Sequence, residues 1–184
     1  MINRLLYHLT AALPCRLIPR NESEPYLERY YVGQLFGATF YLHRFVSNDE
    51  EPHLHNHPWG WGRALVLTGG YDEEVVTDLC PHATPAGGSG CITERRRITW
   101  WNKVNGNHFH RIANAAPGTW TLFFHGPRTQ VKMGEETKPK GWGFLENFYG
   151  VGLHHVTVYR PFPVTSGAWW LTAPKGRESG REPL

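Results

Sequence analysis

The chain has 184 residues, with 19 Lys and Arg against 16 Asp and Glu, a net charge of +3 with the histidines neutral. That length suits one ordinary domain, and so small and dispersed a positive excess argues against a nucleic-acid or membrane-surface patch. Aromatic residues make up 14% of the chain, punctuated by 20 Gly and 14 Pro; this favours short strands joined by turns over a helical bundle.

Taken in order, Ile2, Leu5, Leu6, Leu9 and Leu13 recur at helical spacing before Pro14 and predict a short amphipathic helix over 2–13. His8 interrupts its apolar side, and no apolar run approaches the roughly 18 residues that cross a bilayer, so neither a cleaved leader nor a membrane span is expected. Cys15, Cys80 and Cys91 show no C-x-x-C spacing and suggest reduced thiols in a cytoplasmic protein. Residues 29–46 are dense in aromatic and β-branched types, broken at Gly33 and Gly37, and predict two strands. Residues 63–68 predict a buried strand ended by Gly69-Gly70. Residues 71–79 and 92–101 predict strands flanking an exposed hairpin tip rich in Pro and Gly. Two more strands are predicted at 108–114 and 119–125, joined at Ala116-Pro117-Gly118, then a polar surface loop from Val131 to Gly141, with later strands at 142–146 and 153–160. Residues 1–172 are expected to form one domain, and 173–184 a mobile tail with nothing to bury. Many short strands with closely spaced turns predict an all-β sandwich or barrel.

The histidines carry the chemistry. Eleven are present, and they cluster: His53, His55 and His57 lie in one stretch, His108 and His110 in another. In a strand, residues i and i+2 share a face, so an H-x-H pair projects two imidazoles into one space, and a second strand can complete a metal site. Neutral imidazole suits iron, zinc, copper and nickel.

These residues resemble the motifs of the cupins, double-stranded β-helix barrels of two antiparallel sheets. The first cupin motif has H-x-H, three or four residues, a Glu, six residues and a Gly. Aligning His55 and His57 with its pair puts Gly62 at the Glu position and Gly69 at the final Gly. The second motif ends H-x-x-x-N, matched by His110 and Asn114. The resemblance spans about residues 40–126. Runs at His55 to Trp59, Gly69 to Tyr71, Gly126 to Arg128 and Trp142 to Phe144 are also similar to little-characterised cupin-like proteins of bacteria and phages. It implies an all-β cupin barrel with a short N-terminal helix and a three-histidine metal site of His55, His57 and His110, lacking the usual carboxylate. Such a site resembles that of cupin oxygenases using ferrous iron. A bulge after His57 would turn the small residues Gly62, Ala64, Val66 and Thr68 inward and leave room for a ligand.

His53 and His108 share strand parity with these ligands and are candidates to support them or relay a proton; half-exposed positions at the barrel mouth are the slightly favoured alternative. His125 is placed to reach the same cavity. Arg128 at the G-P-R turn could clamp a carboxylate or phosphate, and Trp59 and Trp61 could wall a substrate pocket; each has an ordinary surface or core role as its alternative. The run Arg95-Arg96-Arg97 reads as a solvated face. No Walker A, glycine-rich nucleotide loop or G-x-S-x-G elbow is present. The expectation is a mononuclear metal enzyme, an Fe(II) oxygenase of a small molecule. A sugar or sugar-phosphate isomerase or epimerase with zinc or nickel, and a ligand-binding module without activity, stand as alternatives. Outward Leu65 and Leu67 with the helix suggest a homodimer; no nucleic-acid or membrane partner is expected.

Overall fold

The computed structural model describes residues 1–19, 25–47, 54–80, 90–147, 153–156 and 168–184. The chain begins with α1 (Ile2–Thr10). It is shorter than the predicted 2–13. The Thr10 hydroxyl donates back to the Leu6 carbonyl at 2.8 Å, and the carbonyls of Ala11 and Leu13 accept from the amides of Arg177 and Gly176 instead of continuing the helix. Leu6 packs with Leu42 and Leu67 over the outside of a sheet, so α1 itself covers part of the apolar face that suggested pairing between copies.

Strands follow in the order β1 (Cys15–Pro19), β2 (Pro25–Leu35), β3 (Ala38–Phe45), β4 (Leu54–Asn56), β5 (Trp61–Thr68), β6 (Tyr71–Cys80) and β7 (Gly90–Ile98). The second half holds β8 (Trp101–Asn105), β9 (His110–Ala115), β10 (Trp120–His125), β11 (Gln130–Met133), β12 (Glu136–Pro139), β13 (Gly143–Asn147) and β14 (Leu153–Val156). One antiparallel sheet runs β1-β2-β3-β10-β5-β8 and the other β14-β13-β4-β9-β6-β7. From β3 to β10 the chain alternates between the sheets except at the β6–β7 hairpin. That is the strand order of an eight-stranded jelly roll, the double-stranded β-helix that the cupin resemblance implies. The fold class is therefore as expected from the sequence.

Leu27, Phe45 and Val66 of the first sheet pack against Tyr71, Ile98 and Ala115 of the second, closing one end of the sandwich. The turn into β6 depends on Gly69, whose φ is +76° and where a side chain would collide with Thr119.

Three local expectations are corrected. The strand predicted at 92–101 is two strands: the chain bends at Thr99-Trp100 and crosses between sheets, so β7 and β8 belong to different layers. The loop predicted from Val131 to Gly141 contains the β11–β12 hairpin, turning at Gly134 with φ +64°. The tail is docked rather than mobile. Glu28 and Arg44, both buried in the first sheet, form an ion pair that the chain end also engages. The Glu182 amide donates to Glu28 at 2.8 Å, and Arg44 donates to the carbonyls of Glu182 and Pro183 at 2.6 and 2.8 Å. Arg181 lies over the Tyr7 ring at 3.5 Å. Buried charges need such partners, and the tail provides them through its backbone. The predicted hairpin tip at 81–89 and the end of the last predicted strand, 157–160, lie outside the described residues.

Candidate metal centre

Strand β4 delivers the first two histidines. Leu54 packs outward against Phe109 and Leu145, and Asn56 accepts the Gly143 amide at 2.9 Å. This locks the strand so that His55, and His57 just beyond it, turn to the interior. His55 lies directly opposite His110 on β9. All three imidazoles are buried, with ring centroids 5.1, 5.2 and 4.9 Å apart. One ring nitrogen from each lies within 4.8 Å of the others. Imidazole nitrogens about 2.0–2.1 Å from an ion stand roughly 3.0–3.4 Å apart around it. Small ring rotations thus fit the set to a single metal.

The donor chemistry also fits. Glu73 on β6 is almost fully buried and sits one diagonal step from His110, since its cross-strand partner is Ile112. Its Oε1 lies 2.5 Å from His110 Nδ1. Burial alone would raise its pKa, but hydrogen bonds from His110, Asn102 and Arg96 outweigh that and hold the carboxyl below its usual range. An ionised carboxylate only accepts, so the proton is on His110 Nδ1 and the Nε2 lone pair faces the other histidines. A carboxylate that holds a metal-ligating imidazole in this way fixes its tautomer and orientation. Asn102 Nδ2 donates to Glu73 Oε1 at 2.9 Å, and Arg96 Nε donates to Oε2 at 2.9 Å.

His57 Nε2 stands 2.6 Å from His110 Nε2, so with the His110 proton on Nδ1 the His57 N–H donates to the His110 lone pair, and a metal would replace that proton. Burial, then the neighbouring His110, His55 and Arg29, hold His57 well below the usual imidazole range. It is therefore a neutral donor. At Gly62, the spacing motif's Glu position, a Cβ would meet the Phe123 ring at 3.4 Å and Val104 at 3.6 Å, ordinary packing distances.

These groups face a cavity of about 590 Å³ between the sheets. Trp59, Trp142 and Phe144 wall it on the histidine side; Trp59 and Trp142 contact His57 at centroid distances of 4.0 and 4.8 Å. The chain bends at Gly60, so Trp59 points inward while Trp61 begins β5 exposed, and Gly62, Ala64 and Val66 face the interior.

The structure thus brings His55, His57, His110 and Trp59 together. It does not bring the others. His108 is exposed in the turn before β9, because Phe109 plugs the cluster with Leu54 and the strand starts only at His110. Arg128 is exposed and lines a separate recess with Gln34 and His125. His125 contacts Trp59 at 4.6 Å and closes the wall behind it without lining the main cavity. His53 lies outside the described residues. Arg95, Arg96 and Arg97 are all exposed, as expected, but strand alternation lets the Arg96 guanidinium reach Glu73, while Arg95 and Arg97 pair with Asp72 on the other side. Sequence reasoning missed Glu73. Its signal was the alternation Tyr71, Glu73, Val75, which forces one of three consecutive acids inward.

No protein-family profile matches the sequence, and no curated protein does. Among solved structures, the chain is similar to KdgF from Halomonas sp., at 14% identity over 59% of this chain and 86% of that one, with a TM-score of 0.39. It is similar to hydroxypropylphosphonic acid epoxidase from S. wedmorenis, at 10% identity over 61% of this chain and 55% of that one, with a TM-score of 0.39; here the match spans little more than half of the other protein. A cupin-2 domain from Rhodospirillum rubrum matches at 13% identity over 66% of this chain and 76% of that one, with a TM-score of 0.38.

Two predictions follow from the site's electrostatics. Replacing Glu73 by Gln removes the charge that orients His110 and is expected to weaken zinc binding roughly 10–100-fold in a competition titration; an unchanged affinity would refute its orienting role. The second concerns acid. Burial, then Arg29, keep His43 well below the usual imidazole range. Burial, against a hydrogen bond to the Gly126 carbonyl that raises it, brings His125 to about 4. Unfolded imidazoles titrate near 6.5, so below that pH the unfolded chain takes up protons that the folded chain refuses. Stability of the metal-free protein is therefore full above about pH 6.5 and falls as the pH drops toward 4. Urea unfolding at a series of pH values should show that decline, and a shallower one in His125→Gln; a flat profile would contradict it.

Proposed function

We propose that this chain is a mononuclear non-haem iron(II) oxygenase of a small organic molecule, its metal held by His55, His57 and His110. The observation that carries the reading is the convergence of three buried imidazoles on a cavity of about 590 Å³. Three neutral donors on one side of an ion leave further positions for reactants, as catalysis requires and a closed structural site does not allow. An iron(II) ion held there supplies one-electron chemistry with dioxygen.

The rest is the work of the chain. Glu73 keeps a proton on Nδ1 of His110, so Nε2 is committed to the metal side. Burial keeps His57 unprotonated, so its imidazole is a neutral donor. Trp59, Trp142 and Phe144 hold water away from the reacting groups. The Tyr71 hydroxyl accepts from Asn102 at 3.1 Å, which braces the amide against Glu73.

The test is elemental analysis of anaerobically purified protein, followed by oxygen uptake with a panel of small acids and thiols. Near-stoichiometric iron is expected, lost in His57→Ala and His110→Ala, with oxygen uptake that depends on both iron and one member of the panel. Zinc or nickel in place of iron, with no oxygen uptake, would instead favour Lewis-acid isomerase chemistry. No metal in any preparation, even after reconstitution, would reduce the chain to a ligand-binding barrel.

A further inference from the structure

The wall opposite the histidines has its own chemistry. Arg29 lies at the middle of β2, directly across from Arg16 on β1 and from His43 on β3. On the far side of His43 the register continues to Thr121 on β10. These four side chains form one row across the first sheet, and all four line the cavity that His55, His57 and His110 line from the second sheet.

Arg29 is fixed but not neutralised. Its Nε donates to His43 Nε2 at 2.9 Å, and its guanidinium lies over the Tyr41 ring at 5.4 Å. His43 is held in turn by stacking on Phe123. Among the described residues no carboxylate pairs with Arg29 or Arg16. Glu73, the acid on the cavity wall, is already matched by Arg96 and engaged by His110 and Asn102. A half-buried guanidinium with its inner nitrogen tied down presents its two outer N–H groups as a planar fork, the geometry that takes both oxygens of a carboxylate.

We propose that the cavity selects a small organic acid, with its carboxylate seated on the Arg29 fork, Arg16 adding charge at the rim and the rest of the molecule directed across the cavity toward the three histidines. This inference deepens the oxygenase reading and rests on the cavity being its substrate site. Arg29 acts as the specificity-determining residue and His43 as the group that positions it.

The experiment compares benzoate with its neutral counterpart benzamide, titrated by calorimetry into zinc-loaded and metal-free protein. Benzoate is expected to bind at least about tenfold more tightly than benzamide, as a charge-assisted bidentate pair would give. Arg29→Gln should abolish that preference, Arg29→Lys should keep only part of it, and Arg16→Gln should reduce it slightly. The wild-type comparison stands even where a variant does not fold. Equal binding of the two probes, no binding of either up to tens of millimolar, or a preference unchanged in Arg29→Gln would overturn the proposal. Failure of the metal reading looks different: zinc would not bind stoichiometrically, while the preference for benzoate would persist in the metal-free protein.

Discussion

The contact on which the site depends is that between the buried Glu73 carboxylate and His110 Nδ1. A carboxylate this deep is expensive unless every lone pair is used. Here Asn102 and Arg96 supply the remaining donors, and Tyr71 braces Asn102. The network spans β6, β7, β8 and β9, so it ties both sheets to the orientation of one imidazole. With that imidazole fixed, its cross-strand partner His55 and the neighbouring His57 can converge on one point.

The jelly roll divides the labour between its layers. The second sheet supplies the histidines and the acid that orients one of them. The first supplies a row of basic and polar groups, with Phe123 beside them on the cavity wall. The cavity exists because the inward residues of β5 are Gly62, Ala64 and Val66. The acid on the histidine wall is matched by Arg96, while Arg29 and Arg16 pair with no carboxylate among the described residues and give the opposite wall its positive charge. The same sandwich is closed at its edge by the chain terminus, whose backbone carbonyls and amide hydrogen-bond to Arg44 and Glu28.

Much of this was legible in the sequence because a strand repeats every two residues. That period alone puts His55 and His57 on one face, and the spacing to His110 and Asn114 carried the fold. The same rule was not pressed far enough elsewhere. Glu73 was hidden among three consecutive acids, and Arg96 among three arginines, although alternation requires the middle members to face the opposite way from their neighbours. Other features follow from tertiary contact and leave no local trace. The crossing at Thr99-Trp100 splits what is locally one continuous strand pattern. The tail has no apolar pattern to announce its docking, because it binds through backbone groups to an ion pair far away in sequence. His108 has the parity of a ligand, but Phe109 decides where β9 begins. Arg29 stood in an aromatic strand with nothing nearby to mark it; only the pairing of β1, β2 and β3 sets it beside Arg16 and His43.

The most direct measurement is an anomalous-difference map from crystals of the protein loaded with iron(II) under anaerobic conditions, collected at the iron edge. One peak is expected between the sheets, bound by nitrogens of His55, His57 and His110, with Glu73 hydrogen-bonded to His110 Nδ1 and not to the metal. A peak at another place, coordination by the Glu73 carboxylate itself, or no peak in fully loaded crystals would contradict the three-histidine centre.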